Sequence, residues 1–396
     1  MVNEVRSPRR TRRSHVLMCA AGVGAAALAL AACSSSSSAG SASGASAASS
    51  GSAASSGSAG GSTSAASSGG TIKVALILKE FTNPYWISME KSAEAEASKL
   101  GIQLQVTAGK ADDDTTSQIN QIDNAISAGD KGIIIALNGD AVNTALNQAR
   151  QQGLVVVAVD TPPIPATVAD VTYATDNTQA GVLDGKWMAA KLSGKSADIA
   201  MLDDLANQVI TVDVDRDHGF LEGMGIPVGN PNVNGQEPKS GKYTGGKGGT
   251  YSIACQLATN GSQTGGQTAM ETCLSKDPNI NVVYAINEPA AEGAAHALKS
   301  AGKTDVTIVA IDGGCSNLPF VADGEIGATA GQFPGKMAVE GVDAIAKFAK
   351  NGQKPTNQAG QDFFNTGTQL YTDSPQAGVS SITTKAAASL CWGQSS

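Results

Sequence analysis

The sequence predicts an α/β fold built as two doubly wound, parallel-sheet lobes. Six apolar, largely β-branched runs carry that prediction, because each stops at a residue able to hydrogen-bond: V-A-L-I-L before Lys79, G-I-I-I-A-L before Asn138, V-V-V-A-V before Asp160, I-A-M-L before Asp203, V-V-Y-A-I before Asn287 and V-T-I-V-A-I before Asp312. Runs this apolar cannot face water on either side, so they read as strands buried in a parallel sheet. Segments of helical length separate several of them, and the ladder begins again after Ala174-Thr175-Asp176-Asn177, which gives a second lobe of the same plan. Ligands of open α/β sheets lie beyond the carboxyl ends of the strands. The strand-end Asp and Asn residues therefore predict a polar-lined cleft.

Not all 396 residues belong to the lobes. Arg9, Arg10, Arg12 and Arg13 form a basic start, residues 16–32 are apolar and Ala-rich, and Leu30-Ala31-Ala32-Cys33 follows, the pattern of a secretory signal. Arg12-Arg13 leaves the general and twin-arginine export routes both open. An uncleaved membrane helix is the competing reading, for which the apolar run is slightly short. Residues 34–70 are Ser, Gly and Ala with one Thr, a composition that buries nothing and predicts a flexible tether spanning roughly 30–40 Å. Residues 1–32 hold five of the 27 basic and one of the 35 acidic residues, so the remainder carries 22 against 34, a net charge of −12. That balance argues against nucleic acid as a partner.

The first lobe opens at Thr71. Strand 72–78 leads through Asn83-Pro84-Tyr85-Trp86 into a helix that Gly101 stops. Strand 103–107, a helix begun by Asp112-Asp113-Asp114, strand 132–137, helix 140–152 and strand 154–159 follow. The second lobe runs as helix 178–192, strand 197–202 and a helix around 216–223, then a Gly-, Asn- and Pro-rich insertion at 225–250 that reads as loop with room for short strands. Strand 251–257, helix 263–275, strand 281–286, helix 289–300 and strand 305–311 complete it. Residues 332–396 add a helix at 335–350, an extended stretch around 362–371 and a last segment ending Cys391-Trp392-Gly393.

Six short motifs occur in order: N-P-Y-W at Asn83, V-D-T at Asp160, R-D-H-G-F at Arg216, I-N-E at Asn287, I-D-G-G at Asp312 and G-Q-F-P at Gln332. Together they resemble the ribose-type periplasmic sugar-binding proteins, the substrate-binding components of ABC importers, over residues 71–396. N-E-P-A-A-E-G-A, D-G-G-C and C-W-G are most similar to the fructose-binding branch, and L-A-A-C is similar to the lipobox of bacterial lipoproteins. The resemblance implies a periplasmic-binding-protein type I fold with a three-strand hinge crossing near Asn177, Gln332 and Thr366. It implies lobes of 71–176 plus 333–366 and of 177–332 plus 367–396, a signal peptide at 1–32, and a lipid anchor at Cys33 followed by the tether to residue 70. The expected ligand is a neutral monosaccharide, fructose first, and the expected partners are the permease subunits of an importer and the outer face of the cell membrane. The binding protein itself would be a monomer, with no cofactor and no metal.

A sugar offers hydroxyls that both donate and accept, and an apolar C–H face. Its site needs Asp, Asn and Arg for the hydroxyls and aromatic walls for the face. By resemblance Asn83, Asp160, Arg216, Asn287, Asp312 and Gln332 would bond the hydroxyls, while Tyr85 and Trp86 would stack. Thr161 stands where ribose binders carry Arg, which weighs against ribose itself. Arg216 and Arg150 are the only arginines after the signal, in a chain that otherwise uses Lys for its cations, so Arg216 stands out for its planar donor fork. Adjacent residues of one helix cannot both face one core, so at least one of Tyr85 and Trp86 is expected in the cleft. Asp203 and Asp204 are expected to cap the following helix.

Enzymatic readings find little support. No G-x-G-x-x-G follows the first strand, Ser193-Gly194-Lys195-Ser196 precedes a strand instead of following one, and His218 and His296 have neither metal-ligand nor triad spacing. Asp112 to Asp114 lack the glycine and distal Glu of a calcium loop. Paired cleft carboxylates leave glycoside hydrolysis as the enzyme alternative, and a sugar or autoinducer receptor for a membrane sensor shares the fold. Four cysteines follow Cys33 in an oxidising compartment, which predicts two disulfides with three connectivities open. Cys255 and Cys273 fall on a strand and the next helix; the fructose-type resemblance implies Cys315 with Cys391.

Overall fold

The computed structural model describes residues 71–357 and 359–393. The expected signal peptide, lipidation site at Cys33 and tether lie outside the described residues. In chain order the elements are β1 (Lys73–Leu78), α1 (Pro84–Leu100), β2 (Gln103–Ala108), α2 (Thr115–Ala128), β3 (Gly132–Ile135), α3 (Asn143–Gln151), β4 (Val155–Val159), β5 (Val171–Ala174), α4 (Asn177–Leu192), β6 (Ala197–Asp203), α5 (Thr211–Met224), β7 (Ser240–Tyr243), β8 (Gly249–Ala258), α6 (Gln263–Lys276), β9 (Val282–Ala285), α7 (Glu288–Ser300), β10 (Thr307–Asp312), α8 (Leu318–Ala322), β11 (Ala328–Gly331), α9 (Pro334–Asn351), β12 (Phe364–Asn365), β13 (Gln369–Tyr371) and α10 (Thr384–Ala387).

Two sheets result. The first has the order β12-β5-β4-β3-β1-β2 and the second β13-β11-β10-β9-β6-β8-β7. The chain therefore passes from one sheet to the other between β5 and β6, back between β11 and β12, and over again between β12 and β13. The type I fold read from the sequence is present. All ladders are parallel except at the edges of the second sheet, where β7 pairs with β8 and β13 with β11 in antiparallel register. The insertion supplies the first of these edges: residues 225–239 are mostly turn and bend, and β7 then folds back on β8 with Tyr243 buried beneath it. The strands β5 and β11, and the short helix α8, are elements the sequence does not announce. V-T-Y-A and A-T-A-G are short and hold few large apolar side chains, so nothing but pairing with a neighbour marks them as strands.

Each sheet is covered on both faces. Leu76, Ile134, Val157 and Met337 pack on one side of the first sheet, and Ile77, Ile133, Val156 and Leu146 on the other. The second sheet has Met201, Tyr284, Phe220 and Trp187 on one face and Leu202, Val283, Met270 and Leu298 on the other. Between α4 and α5 the backbones almost touch. A Cβ on Gly185 would stand 2.1 Å from the Phe220 carbonyl oxygen, and one on Gly219 would stand 2.3 Å from that of Thr178. Only glycine allows this approach, and it fixes α5, with Arg216, against the start of α4.

Disulfides join Cys255 to Cys273, with Cα atoms 5.6 Å apart, and Cys315 to Cys391, 5.0 Å apart. The first ties β8 to α6, and the second holds the C-terminal segment on the loop after β10.

Candidate ligand cleft between the lobes

In each sheet the strand order reverses at one point, β1 beside β3 in the first and β6 beside β9 in the second. The carboxyl ends of β1, β4, β9, β10 and β11, with the first turn of α1 and Arg216 of α5, converge on one buried cavity, lined by Asn83, Tyr85, Trp86 and Asp160 from one lobe and Arg216, Asn287, Asp312 and Gln332 from the other. The structure thus brings together all eight side chains that the sequence motifs single out. The cavity measures only about 30 Å3, room for about two water molecules.

Local rules place each group. Asn83 caps α1 by accepting from the Tyr85 N–H at 2.9 Å, with Pro84 at the first helical position, so the aromatic pair occupies the first turn beside the cleft. Both rings are buried, line the cavity and join the same apolar cluster. The expectation that one core could not take both fails, because at a helix terminus the core and the cleft meet. Tyr85 also does more than offer a face: its hydroxyl donates to Asp160 Oδ2 at 2.9 Å, and its ring meets Trp86 and Trp392 edge-on. Burial, then the charges of Asp160 and Asp312, holds its pKa well above the ordinary tyrosine value. Asp160 has φ +66° and Asp312 φ +154°, conformations that non-glycine residues rarely adopt and that cluster at functional sites.

Arg216 spans the back of the site. Its Nε donates to Asn177 Oδ1 at 2.8 Å, its Nη1 donates to the Ile286 carbonyl at 2.9 Å, and Nη1 lies 3.9 Å from Asp312 Oδ1. Asp312 accepts from Gln332 Nε2 at 2.8 Å and from the Glu288 N–H at 3.3 Å. Burial pushes the Asp312 pKa up to about 6, with Arg216 and the Gln332 bond opposing it. Behind it Glu288, the acid of I-N-E, accepts from Gly313 N–H, Gly314 N–H, Asn317 Nδ2 and Thr329 Oγ1 at 2.7–3.0 Å. Asn287 caps α7 through Ala290 N–H and donates to the Gly261 carbonyl at 2.9 Å. Trp392 of the C-W-G segment donates from Nε1 to the Asp312 carbonyl at 2.8 Å, which places the tail at the cleft wall.

A family model described as a periplasmic binding protein domain matches residues 74–354. The chain belongs to that family. Among relatives of this periplasmic binding protein, the ribose import binding protein of Salmonella typhimurium is 28% identical over 284 residues, 71% of this chain and 86% of its own length. An ABC transporter solute binding protein from Mycobacterium smegmatis, solved with bound glycerol, superposes with TM-score 0.64 at 26% identity, covering 82% of this chain and 98% of its own. A galactofuranose binding protein has the same fold, with TM-score 0.64, 24% identity and coverage of 76% and 94%. The chain is a binding protein and not an enzyme.

The cavity of this binding protein also holds three ionisable residues that the motifs do not contain: Lys79, Asp112 and Asp204. Lys79 is 2% exposed and stands 5.8 Å from the Trp86 ring centroid. Burial alone would lower its pKa, but Asp112, then Asp204 and Asp160, more than offset that and hold it above the ordinary lysine value. Burial pushes Asp112 up to about 8, with Lys79 opposing, and raises Asp204 as well. The expected capping role of Asp203 and Asp204 is not found. Helix α5 begins after Ile210, six residues later, without a side-chain cap. Asp203 instead accepts from Gln256 at 2.9 Å, and Asp204 faces the cleft. Of the Asp112–Asp114 run, Asp114 is the N-cap of α2, which frees Asp112. The signal for Lys79 was its place directly after a buried strand.

Proposed function

We propose that the protein is a lipid-anchored, extracytoplasmic substrate-binding protein that captures a neutral monosaccharide, fructose first, and delivers it to an ABC importer. The observation that carries this reading is the convergence of eight hydrogen-bonding and aromatic side chains from both lobes on one buried cavity. The inventory suits a polyol ring: paired acceptors in Asp160 and Asp312, donors in Arg216, Asn83 and Asn287, and the flat indole of Trp86. Trp86 Nε1 and Gln332 Oε1 are buried without partners among the described residues, which leaves one donor and one acceptor for ligand hydroxyls. Four carboxyl groups against Lys79 and Arg216 disfavour a sugar phosphate. The relatives named for ribose and allose support the sugar class, and the preference for fructose rests on the D-G-G-C and C-W-G motifs.

Capture works by hinge closure in this reading. The N-terminal lobe is 71–176 plus 333–366, the other is 177–332 plus 367–396, and three crossings restrict motion largely to opening and closing. Calorimetry against fructose, ribose, allose, galactose, inositol and glycerol tests the ligand, and tight binding of an amino acid or of none of the panel refutes it. Small-angle scattering should show compaction at saturating sugar. The anchor is tested by metabolic lipid labelling, which the wild type should take up and Cys33→Ser should not. A chain that meets a membrane sensor in place of a permease would still bind sugar but would not restore uptake in a strain lacking its gene.

A further inference from the structure

The buried cavity does not end the cleft. Asn83 and Asp112 also line a second cavity of about 540 Å3, which lies between the same two sets of loops. That volume falls in the range of roughly 300–1000 Å3 usual for small-molecule sites. Its walls are polar: Lys110 and Glu80 on one side, and Gln263, Glu292 and Asn317 on the other, with Trp392 between.

Two observations mark it as a built site. Asn317 is 4% exposed; its Nδ2 donates to Glu288 Oε2 at 2.7 Å, but its Oδ1 has no partner among the described residues, and neither does the buried Oδ1 of Asp112. Buried acceptors without donors cost free energy, which a ligand hydroxyl offsets. Beside them Trp392 is clamped twice, by its own Nε1 on the Asp312 carbonyl and by the disulfide of its neighbour Cys391. A fixed indole and unfilled acceptors are the needs of a sugar ring, and Glu80 and Glu292 against the single Lys110 disfavour an anionic one.

We propose that this outer cavity is a second carbohydrate subsite, so that the cleft takes a neutral two-ring glycoside with one ring in the inner cavity and the other beside Trp392. The inference rests on the sugar-binding reading above. It names one molecule and not two because Asn83 and Asp112 border both spaces, which makes the two cavities direct neighbours.

Titration calorimetry on the full exported chain tests it, with fructose and galactose as single rings and sucrose, lactulose and lactose as double rings. At least one double ring should bind. Thr264 and Ser316 are exposed residues that line the outer cavity. Thr264→Trp, and separately Ser316→Trp, should then weaken the double ring at least tenfold while leaving the single ring within twofold. Binding of single rings without any double ring, or equal weakening of both by the two variants, overturns the subsite and leaves the sugar reading intact. Failure of every sugar to bind overturns both.

Discussion

The two sheets run in the same order from their first strands, β2-β1-β3-β4-β5 and β8-β6-β9-β10-β11, yet their buried polar groups differ in kind. Deep in the first lobe sit neutral amides. Gln118 donates to the Ala136 carbonyl at 2.7 Å and accepts from Asn138 N–H at 2.9 Å, and Asn138 reaches the Ala111 carbonyl at 3.0 Å. The second lobe buries carboxyl groups. Asp203 and Asp217 share Gln256 Nε2, at 2.9 and 3.1 Å, Asp213 accepts from Asp204 N–H, and Asp184 has no partner for either oxygen among the described residues. Burial raises the pKa of Asp184, Asp203, Asp213 and Asp217 well above the ordinary carboxylate value. Both lobes are held by apolar packing; the second depends in addition on a larger set of retained protons, on the α4–α5 glycine contacts and on both disulfides.

The largest effect expected from breaking this asymmetry is on binding. Asp312→Ala removes an acceptor of Gln332 and the carboxylate beside Arg216, and loss of one member of a buried pair costs about 3–5 kcal/mol. It should weaken sugar binding by at least 100-fold, more than Trp86→Ala does, and near-normal binding in calorimetry would show that the second lobe does not carry the polar recognition. Replacing Cys315 and Cys391 together by Ser opens a loop of 76 residues, against 18 for the other pair. Chain entropy puts the two losses at about 4 and about 3 kcal/mol, so denaturant unfolding should rank them in that order; the reverse ranking would mean that the tail contributes little.

Gly185→Ala should cost about 1–3 kcal/mol by overpacking and should loosen Arg216 with it, whereas an alanine at Gly101, with open space around it, should lose only the strain of its φ of +68°. Hydrogen exchange resolved by segment would show the Gly185→Ala loss confined to the second lobe. The smallest effect is with pH. The raised carboxyl groups hold protons in the folded state that the unfolded chain releases near pH 4. Their contribution is present at low pH and is lost as pH rises through the folded values, about 6 for Asp312 and about 8 for Glu288 and Asp112. The melting temperature should therefore fall by a few degrees from pH 6 to pH 9, and a rise over that interval would contradict the buried-carboxyl account.

The strands were legible because β-branched runs have no alternative to burial, and the strand ends because a polar residue there must face the crevice or bond a loop. Which of those two it does is not written in the run itself. Asn138 and Asp160 end neighbouring strands in the same way, but Asn138 ties the backbone of Lys79 and Ala111 while Asp160 enters the cavity. Asp112 and Asp204 were missed for a related cause. Their role depends on the lobes meeting face to face, a property of the assembled fold and not of any local window. The insertion was read as loop with room for short strands, and its glycines hide where β7 lies, because the strand character of β7 comes from the antiparallel partner it finds in β8.

Trp392 belongs to the second lobe by its hydrogen bond and its neighbour's disulfide, but its ring lies 5.4 Å from that of Tyr85 on the first. Trp86, the other tryptophan near the cleft, sits beside Tyr85, and Trp187 is sealed in the core of the second lobe. The molecule thus carries its own optical gauge. Separation of the lobes would expose two indoles to water and leave the third as an internal reference, so emission from an unlabelled sample would follow each opening and closing in real time.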